Sequence, residues 1–338
     1  MDDHAGYIKG TLKPVNVIIT LLVMCLVTVA VAGGCSLIGQ ARLTEMVWRL
    51  RLYRLAAAFA VGSGLASAGV ALQGLLKNPL AEPYVLGISS GAGVGVLLGY
   101  AISGAVGLAG WATTPVLAII GAAITSVVVF TVAQRRGQLD PYALLLSGVI
   151  VNAFNGAIML TIFLLVPPRT ITSFAGWVMG RLTDSIAISN PLLVIIAIAS
   201  VVVGEVLLFF RGVALNALGL GDEVAASVGV AVRRLRIEMF IIVSLMTAAA
   251  VALAGPIGFL GLIVPHICRL IVGPDHRRLV IVSSFSGAIF LMLADTFCRT
   301  AGQFLRIGEI PVGILTALTG GPFFIFLLRR SFREVKIR

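Results

Sequence analysis

The sequence predicts an all-α membrane protein with about ten transmembrane helices and with both termini cytoplasmic. Three observations carry this expectation. Of 338 residues, 59% are hydrophobic and 12% charged, against roughly 25% charged in soluble domains. A chain of this length could not hide so much apolar surface in a core of its own. Apolar runs near the bilayer-spanning length of about 20 residues recur at 15–37, 52–73, 85–104, 112–133, 142–166, 189–210, 237–254, 256–272, 280–298 and 310–328. Finally, basic residues are unequally shared between alternate connections.

The first run follows Lys9 and Lys13 and ends in "VAGGCS" at Cys35. That ending resembles a lipoprotein signal, but Ala32 stands where leucine is typical and many spans follow. It is therefore read as a first helix. The second and third runs contain "GSGLASAGVALQG" (62–74) and "GISSGAGVGVLLG" (87–99). Small residues at three- and four-residue spacing let helices approach closely in lipid. In the fifth run Asn152 and Asn155 share a helix face. They serve either helix–helix hydrogen bonds or the lining of a path. Glu205 and Asp295 also need partners within their spans. Asp295 lies four residues before Arg299, which permits an intrahelical pair. The seventh and eighth runs are joined by the very tight "LAGPIGF" (253–259). No linker interrupts the chain, so residues 1–338 are read as one domain. Cys25, Cys35, Cys268 and Cys298 have no ligand spacing and are read as small packing residues.

The formal charge is +11, from 25 Lys+Arg and 14 Asp+Glu. With an inner N-terminus, the outer connections hold only Arg42, Arg49, Arg51, Arg54, Arg169, Arg181, Arg299 and Arg306. The remaining basic residues fall inside, as expected for a polytopic protein. "VWRLRLYRL" (47–55) is a local exception to that rule. Few aromatics accompany the charge, so no nucleic-acid partner is expected. Lys9, Lys13, Lys77 and Lys336 are the only lysines, and none stands in a phosphate-binding GxxxxGK[ST]. Neither metal-ligand spacing nor a catalytic constellation is present, so the chain is expected not to be an enzyme.

Three segments between or within spans are unusual. "LQGLLKNPLAEPYVLG" (72–87) gathers Gln73, Lys77, Asn78, Pro79, Glu82 and Pro83. Irregular backbone is not tolerated against lipid, so a structured re-entrant corner is expected. In "AGPIGFLGLIVPHICRL" (254–270), Pro256 suits a helix start and Pro265 should break or kink the span. His266 and Arg269 follow near the inner end, where a structural or gating role is expected. "LNALGLGDEVAASVGVAVRRLR" (215–236) reads as two short helices broken at Gly229. Asp222 and Glu223 open the first, as the helix dipole prefers. Val224 and Val228 form a small apolar face suited to a soluble partner.

Taken in order, "RLYRLAAAFAVGSGLASAGVALQGLLKNPLAEPYVLGISSGAGVG" (51–95), "LGLGDEVAASVGV" (218–230), "AGPIGFLGLIVPHICRLIVGPDHRRL" (254–279), "GAIFLMLADTFCR" (287–299) and "GEIPVGILTALTGGPFFIFLLRR" (308–330) resemble the FecCD family. These are permease subunits of bacterial ABC importers for iron chelates, haem and cobalamin. The resemblance covers nearly everything after the first span. It implies the type II importer permease fold, a second permease subunit in a homodimer or pseudo-dimer, two cytoplasmic ATPase subunits carrying ATP and Mg²⁺, an extracytoplasmic binding protein, and the bacterial cytoplasmic membrane. No cofactor is implied on this chain. It implies that Gly221, Asp222, Glu223, Val224, Ala225, Val228 and Gly229 belong to a coupling element seated on the ATPases. Arg51, Arg54 and Arg299 match outward-facing arginines that meet carboxylates of the binding protein. The helix with Asn152 and Asn155 matches the one lining the path, with Leu139, Asp140 and Pro141 near an inner gate. Gln73, Asn78, Pro79, Pro83, Pro265 and His266 fall in structural motifs. The sequence departs at Tyr53, where proline is usual, and at "TAGQFLRIG" (300–308), which is longer and adds Arg306. The expected cargo is an iron–siderophore complex, with haem or cobalamin as alternatives. From another class, an ion-coupled secondary transporter would use Asp295, Glu205 and His266 as relay groups.

Overall fold

The computed structural model describes residues 17–39, 44–106, 110–135, 137–182 and 191–335. Lys9, Lys13, Arg42, Arg136, Lys336 and Arg338, which enter the charge asymmetry, lie outside the described residues. The helices are α1 (Val17–Leu37), α2 (Glu45–Leu76), α3 (Ile88–Val106), α4 (Gly110–Ala133), α5 (Pro141–Phe163), α6 (Pro168–Val178), α7 (Pro191–Leu220), α8 (Asp222–Ser227), α9 (Val232–Ala254), α10 (Leu260–Val272), α11 (His276–Leu305) and α12 (Val312–Val335). A two-residue antiparallel hairpin, β1 (Gln134–Arg135) with β2 (Gln138–Leu139), precedes α5. Among these, α1, α2, α4, α5, α7, α9 and α11 are long and apolar enough to cross a membrane. The shorter apolar stretches of α3, α10 and α12 account for the other three expected spans.

The bundle is organised around α2. Its most apolar stretch is 89% buried, against 6% for the peripheral α1. The small residues noted in the sequence explain why. A methyl group added at Gly62 would strike the backbone of Gly287 on α11, and one at Gly69 the backbone of Gly261 on α10. The pair α3 and α4 packs by the same device at Gly91 and Gly121. Without a hydrophobic force between helices in lipid, such close backbone approach supplies the packing energy.

Helix length then sets depth. At 1.5 Å per residue, α2 is about 48 Å long and α10 only about 20 Å, while the hydrocarbon layer is about 30 Å thick. At least one end of α10 is therefore sunk below the membrane surface, and that end needs protein partners. The corner before it, 255–259, has them. Glu82 accepts from the Phe259 amide, Tyr84 Oη accepts from Ile257 N at 2.8 Å, and Arg181 N donates to Ala254 O at 2.8 Å. The segment 77–87 is thus a folded-back corner ending in a 3₁₀ turn, Pro83–Leu86. Pro256 lies in the irregular corner rather than at a helix start, because α10 begins only at Leu260, after Phe259 at φ +65°.

Pro265 does not break α10, which runs through it. Its missing N–H frees the carbonyl four residues back, on Gly261. Gln73 Nε2 takes that carbonyl at 3.3 Å, and Arg269 Nη2 holds Gln73 Oε1 at 2.8 Å. A proline on one helix and a glutamine on another therefore form one joint. His266 instead packs edge-on against Phe323 of α12, with ring centroids 6.0 Å apart. Asn78 Oδ1 caps the turn by accepting from Leu80 N at 2.9 Å. Cys35, Cys268 and Cys298 are buried as expected, whereas Cys25 is exposed on α1.

At the inner start of α11, His276 is wedged against Gly74. Its Nδ1–H donates to Asn216 Oδ1 at 2.7 Å, the tautomer following from the acceptor.

Candidate functional site

Two clusters stand out, one at each end of the bundle. The inner cluster is built on α8. Gly221, at φ +135°, turns the chain off the end of α7, and Gly229, at φ +85°, turns it into α9. Between them α8 buries Ala225 and leaves Val224 44% and Val228 66% exposed. Glu223 is exposed as well. The second expected short helix is instead the start of the long α9, which leaves Gly229 as the single break.

Asp222 does more than favour a helix dipole. It accepts from Lys77 Nζ at 2.7 Å and from Arg236 Nη2 at 2.8 Å. Lys77 closes α2 in a left-handed conformation, and Arg236 lies on α9. Burial pushes the Asp222 carboxyl up, but hydrogen bonds and charges from Lys77 and Arg236 together hold it below the usual range. A lowered acid contributes its stabilisation above the ordinary pKa near 4 and loses it only as pH falls through the lowered value. The clamp is therefore intact at neutral pH. Arg236 also donates through Nη1 to Leu139 O at 3.4 Å, which ties the hairpin to the same group. Asp140 caps α5 by accepting from Ala143 N at 2.7 Å, with Pro141 in the first turn. A cleft of about 860 Å³ opens between these elements, lined by Lys77, Asp140, Tyr142, Asp222 and Glu223 among others.

The two asparagines of α5 turn towards protein. Asn155 is buried and donates to Ser90 Oγ at 3.0 Å and Thr125 Oγ1 at 3.2 Å. Asn152 reaches Tyr84 O at 3.5 Å. These contacts are helix–helix hydrogen bonds, the first of the two roles expected of the pair. The opposite face of α5, with Tyr142, Leu146, Val149, Ile150 and Phe154, is the exposed one.

At the outer end, "VWRLRLYRL" is largely turned inward. Arg51 is buried and donates to Ser36 O at 2.6 Å. Arg54 is buried, grips Asp295 in a fork at 2.7 and 2.9 Å, and reaches Glu309 at 3.1 Å. Arg299 donates to Cys35 O at 3.2 Å and Ile38 O at 2.9 Å. Asp295 therefore has a forked partner across helices, in Arg54. Only Arg49 is a surface charge, paired with Glu45 on the same helix. The outward-facing guanidinium groups expected at Arg51 and Arg54 are thus occupied inside the protein. Glu309 and the Lys77 arm of the Asp222 clamp are not legible in the sequence, because their partners are 255 and 145 residues away. The sequence reading also misses α6, whose Thr170, Phe174 and Trp177 at helical spacing are its buried face.

Within span-forming helices, Glu205 of α7 accepts from Ser67 Oγ of α2 at 3.2 Å. No salt bridge to it occurs among the described residues, and neither does any metal-competent cluster. His266, Glu205 and Asp295 lie on three different helices, α10, α7 and α11.

Comparison with known proteins agrees with this architecture. The model of the FecCD transport family matches residues 14–330. A cobalamin import system permease of Halobacterium salinarum is 41% identical over 86% of this chain and 74% of its own. A hemin transport system permease of Yersinia pestis is 37% identical over 84% of each. A solved inward-facing metal-chelate type ABC transporter superposes with TM-score 0.80 at 28% identity, covering 93% of this chain and 99% of that one.

Proposed function

Because the chain belongs to the FecCD transport family, we propose that it is the membrane-spanning permease of an ATP-driven importer that carries a metal chelate across the bacterial cytoplasmic membrane. The chain is a multi-pass membrane protein with the type II importer permease fold. The carrying observation is α8: a short helix with exposed Val224 and, at its C-terminal cap, exposed Val228, clamped through Asp222 to the ends of α2 and α9. A partner that moved α8 would move both helices with it. Two ATPase subunits, binding ATP and Mg²⁺, are the partners that element fits, with a second copy of this chain completing the path and a binding protein delivering cargo. No cofactor is assigned to this chain.

The relatives named above handle a corrinoid and haem, and the solved transporter is of metal-chelate type. We place an iron–siderophore complex first among the cargoes, with haem and corrinoids as competitors. Large chelates suit a wide path with few specific contacts. At the outer rim, a docking role for Arg51, Arg54 and Arg299 passes through the frame they hold, since their guanidinium groups already have internal partners.

Reconstitution of the chain with its ATPase subunits and binding protein in proteoliposomes tests this. ATP inside the coupled side should drive accumulation of one chelate from a panel of ferric siderophore, haem and corrinoid. Uptake by this chain alone, collapsing with an ion gradient, would overturn the proposal in favour of a secondary transporter.

A further inference from the structure

A third charged group lies where two membrane helices leave the inner side of the bilayer. The apolar run of α7 ends at Phe210 and that of α9 begins at Met239. At those ends stand Arg211, Arg234 and Glu238. Arg211 Nη2 lies 2.8 Å from one Glu238 oxygen and Arg234 Nε 2.8 Å from the other. One carboxylate therefore serves two guanidinium groups, and the trio keeps a positive charge. Arg211 is 44% and Arg234 78% exposed, so donors remain open to solvent. Together with Ala214, Gly229 and Leu235 they line a cleft of about 300 Å³.

The same helix faces are apolar towards the bilayer centre. One and two turns from Arg211 are Leu207 and Val203, and one and two turns from Glu238 are Ile241 and Leu245, all exposed. The helices touch at Gly204, whose missing side chain admits Met246, and the cleft lies two turns further towards the inner end.

The geometry points to a binding site for the phosphate of an anionic phospholipid from the inner leaflet. Each guanidinium offers paired N–H groups that match phosphate oxygens. The site sits where an apolar run gives way to charge, the level of lipid headgroups, and basic pockets between helices on this side favour anionic lipid. The acyl chains lie on Leu207, Val203, Ile241 and Leu245. A free phosphate finds the same donors but none of the apolar contact. An ethanolamine headgroup brings a like charge against the arginines. Because α7 leads into α8 and α9 follows it, the lipid bridges both flanks of the element proposed to couple transport to ATP hydrolysis. This inference goes beyond that function and rests on the inner placement of residues 211–238.

The test uses the full chain with its ATPase subunits in nanodiscs of phosphatidylethanolamine with a minor share of phosphatidylglycerol. Bound lipid is read by native mass spectrometry after detergent extraction. Phosphatidylglycerol should be retained over phosphatidylethanolamine, and Arg211→Gln/Arg234→Gln should lower that retention by about tenfold or more. Glu238→Gln frees both guanidinium groups and should raise retention, whereas a merely structural role for Glu238 would lower it. This variant decides the matter if the double variant fails to fold. Equal retention of the two lipids, or displacement by inorganic phosphate, would overturn the proposal, the latter in favour of a soluble anion.

Discussion

Replacing Arg54 by methionine should destabilise the folded chain by about 3–5 kcal/mol, the cost of stripping one partner from a buried ion pair. The estimate follows from burial: the side chains of Arg54 and Asp295 are 6% and 4% exposed, with 2.7 Å between Nε and Oδ2. Methionine leaves the Asp295 carboxylate without its forked partner and Glu309 without its guanidinium. Asp295→Asn should cost a comparable amount by leaving Arg54 half-satisfied. The double variant Arg54→Met/Asp295→Leu should recover most of the loss, since well-packed apolar residues often replace a buried pair at little cost. Unfolding in mixed detergent micelles would measure all three. A single variant within about 1 kcal/mol of wild type, the range of exposed pairs, would show that the pair is not buried in the folded protein. The result also bears on the outer rim. A charge reversal at Arg54 would disrupt α2 against α11, so any loss of binding-protein docking would have to be read against stability.

Replacing Val224 and Val228 together by aspartate should abolish coupled uptake without unfolding the permease. Both side chains are exposed, at 44% and 66%, so the isolated chain loses little. In a partner's cleft each valine would contribute about 1.5–3 kcal/mol on full burial. Only the exposed part of each can be buried on docking, so losing both should weaken ATPase association by at least about tenfold. Asp222→Asn separates docking from transmission. It keeps the apolar face but weakens the hold of Lys77 and Arg236, so the ATPases should still bind while uptake per ATP falls. Co-purification and proteoliposome uptake, measured side by side, distinguish the two. If the valine variant keeps normal coupling, α8 is not the transmitting element.

Much of this was legible in the chain order. The membrane helices were readable because the apolar runs approach bilayer length, seven of them as helices long and apolar enough to cross, and α8 because Gly221 and Gly229 bracket an acidic start. The corner at 72–87 was readable from its prolines. Other features were not. That Pro265 would be accommodated depended on Gln73, nearly two hundred residues away, taking the Gly261 carbonyl. Asn152 and Asn155 announced a polar face, but only the positions of Tyr84, Ser90 and Thr125 decided that it faces protein. In α6 the buried Phe174 and Trp177 were hidden inside a segment that reads as polar.

By itself the sequence determined a helical membrane protein and its family, because these depend on local quantities: run length and motifs in order. The tertiary structure decided the partners. The arginines of "VWRLRLYRL" looked like charges stranded on the outer face. Packed in three dimensions, Arg51 holds the end of α1 and Arg54 is locked between Asp295 and Glu309. In a low-dielectric interior a charge is tolerated only where another chain segment supplies a counter-charge or hydrogen-bond acceptors, and which segment arrives there is a property of the fold.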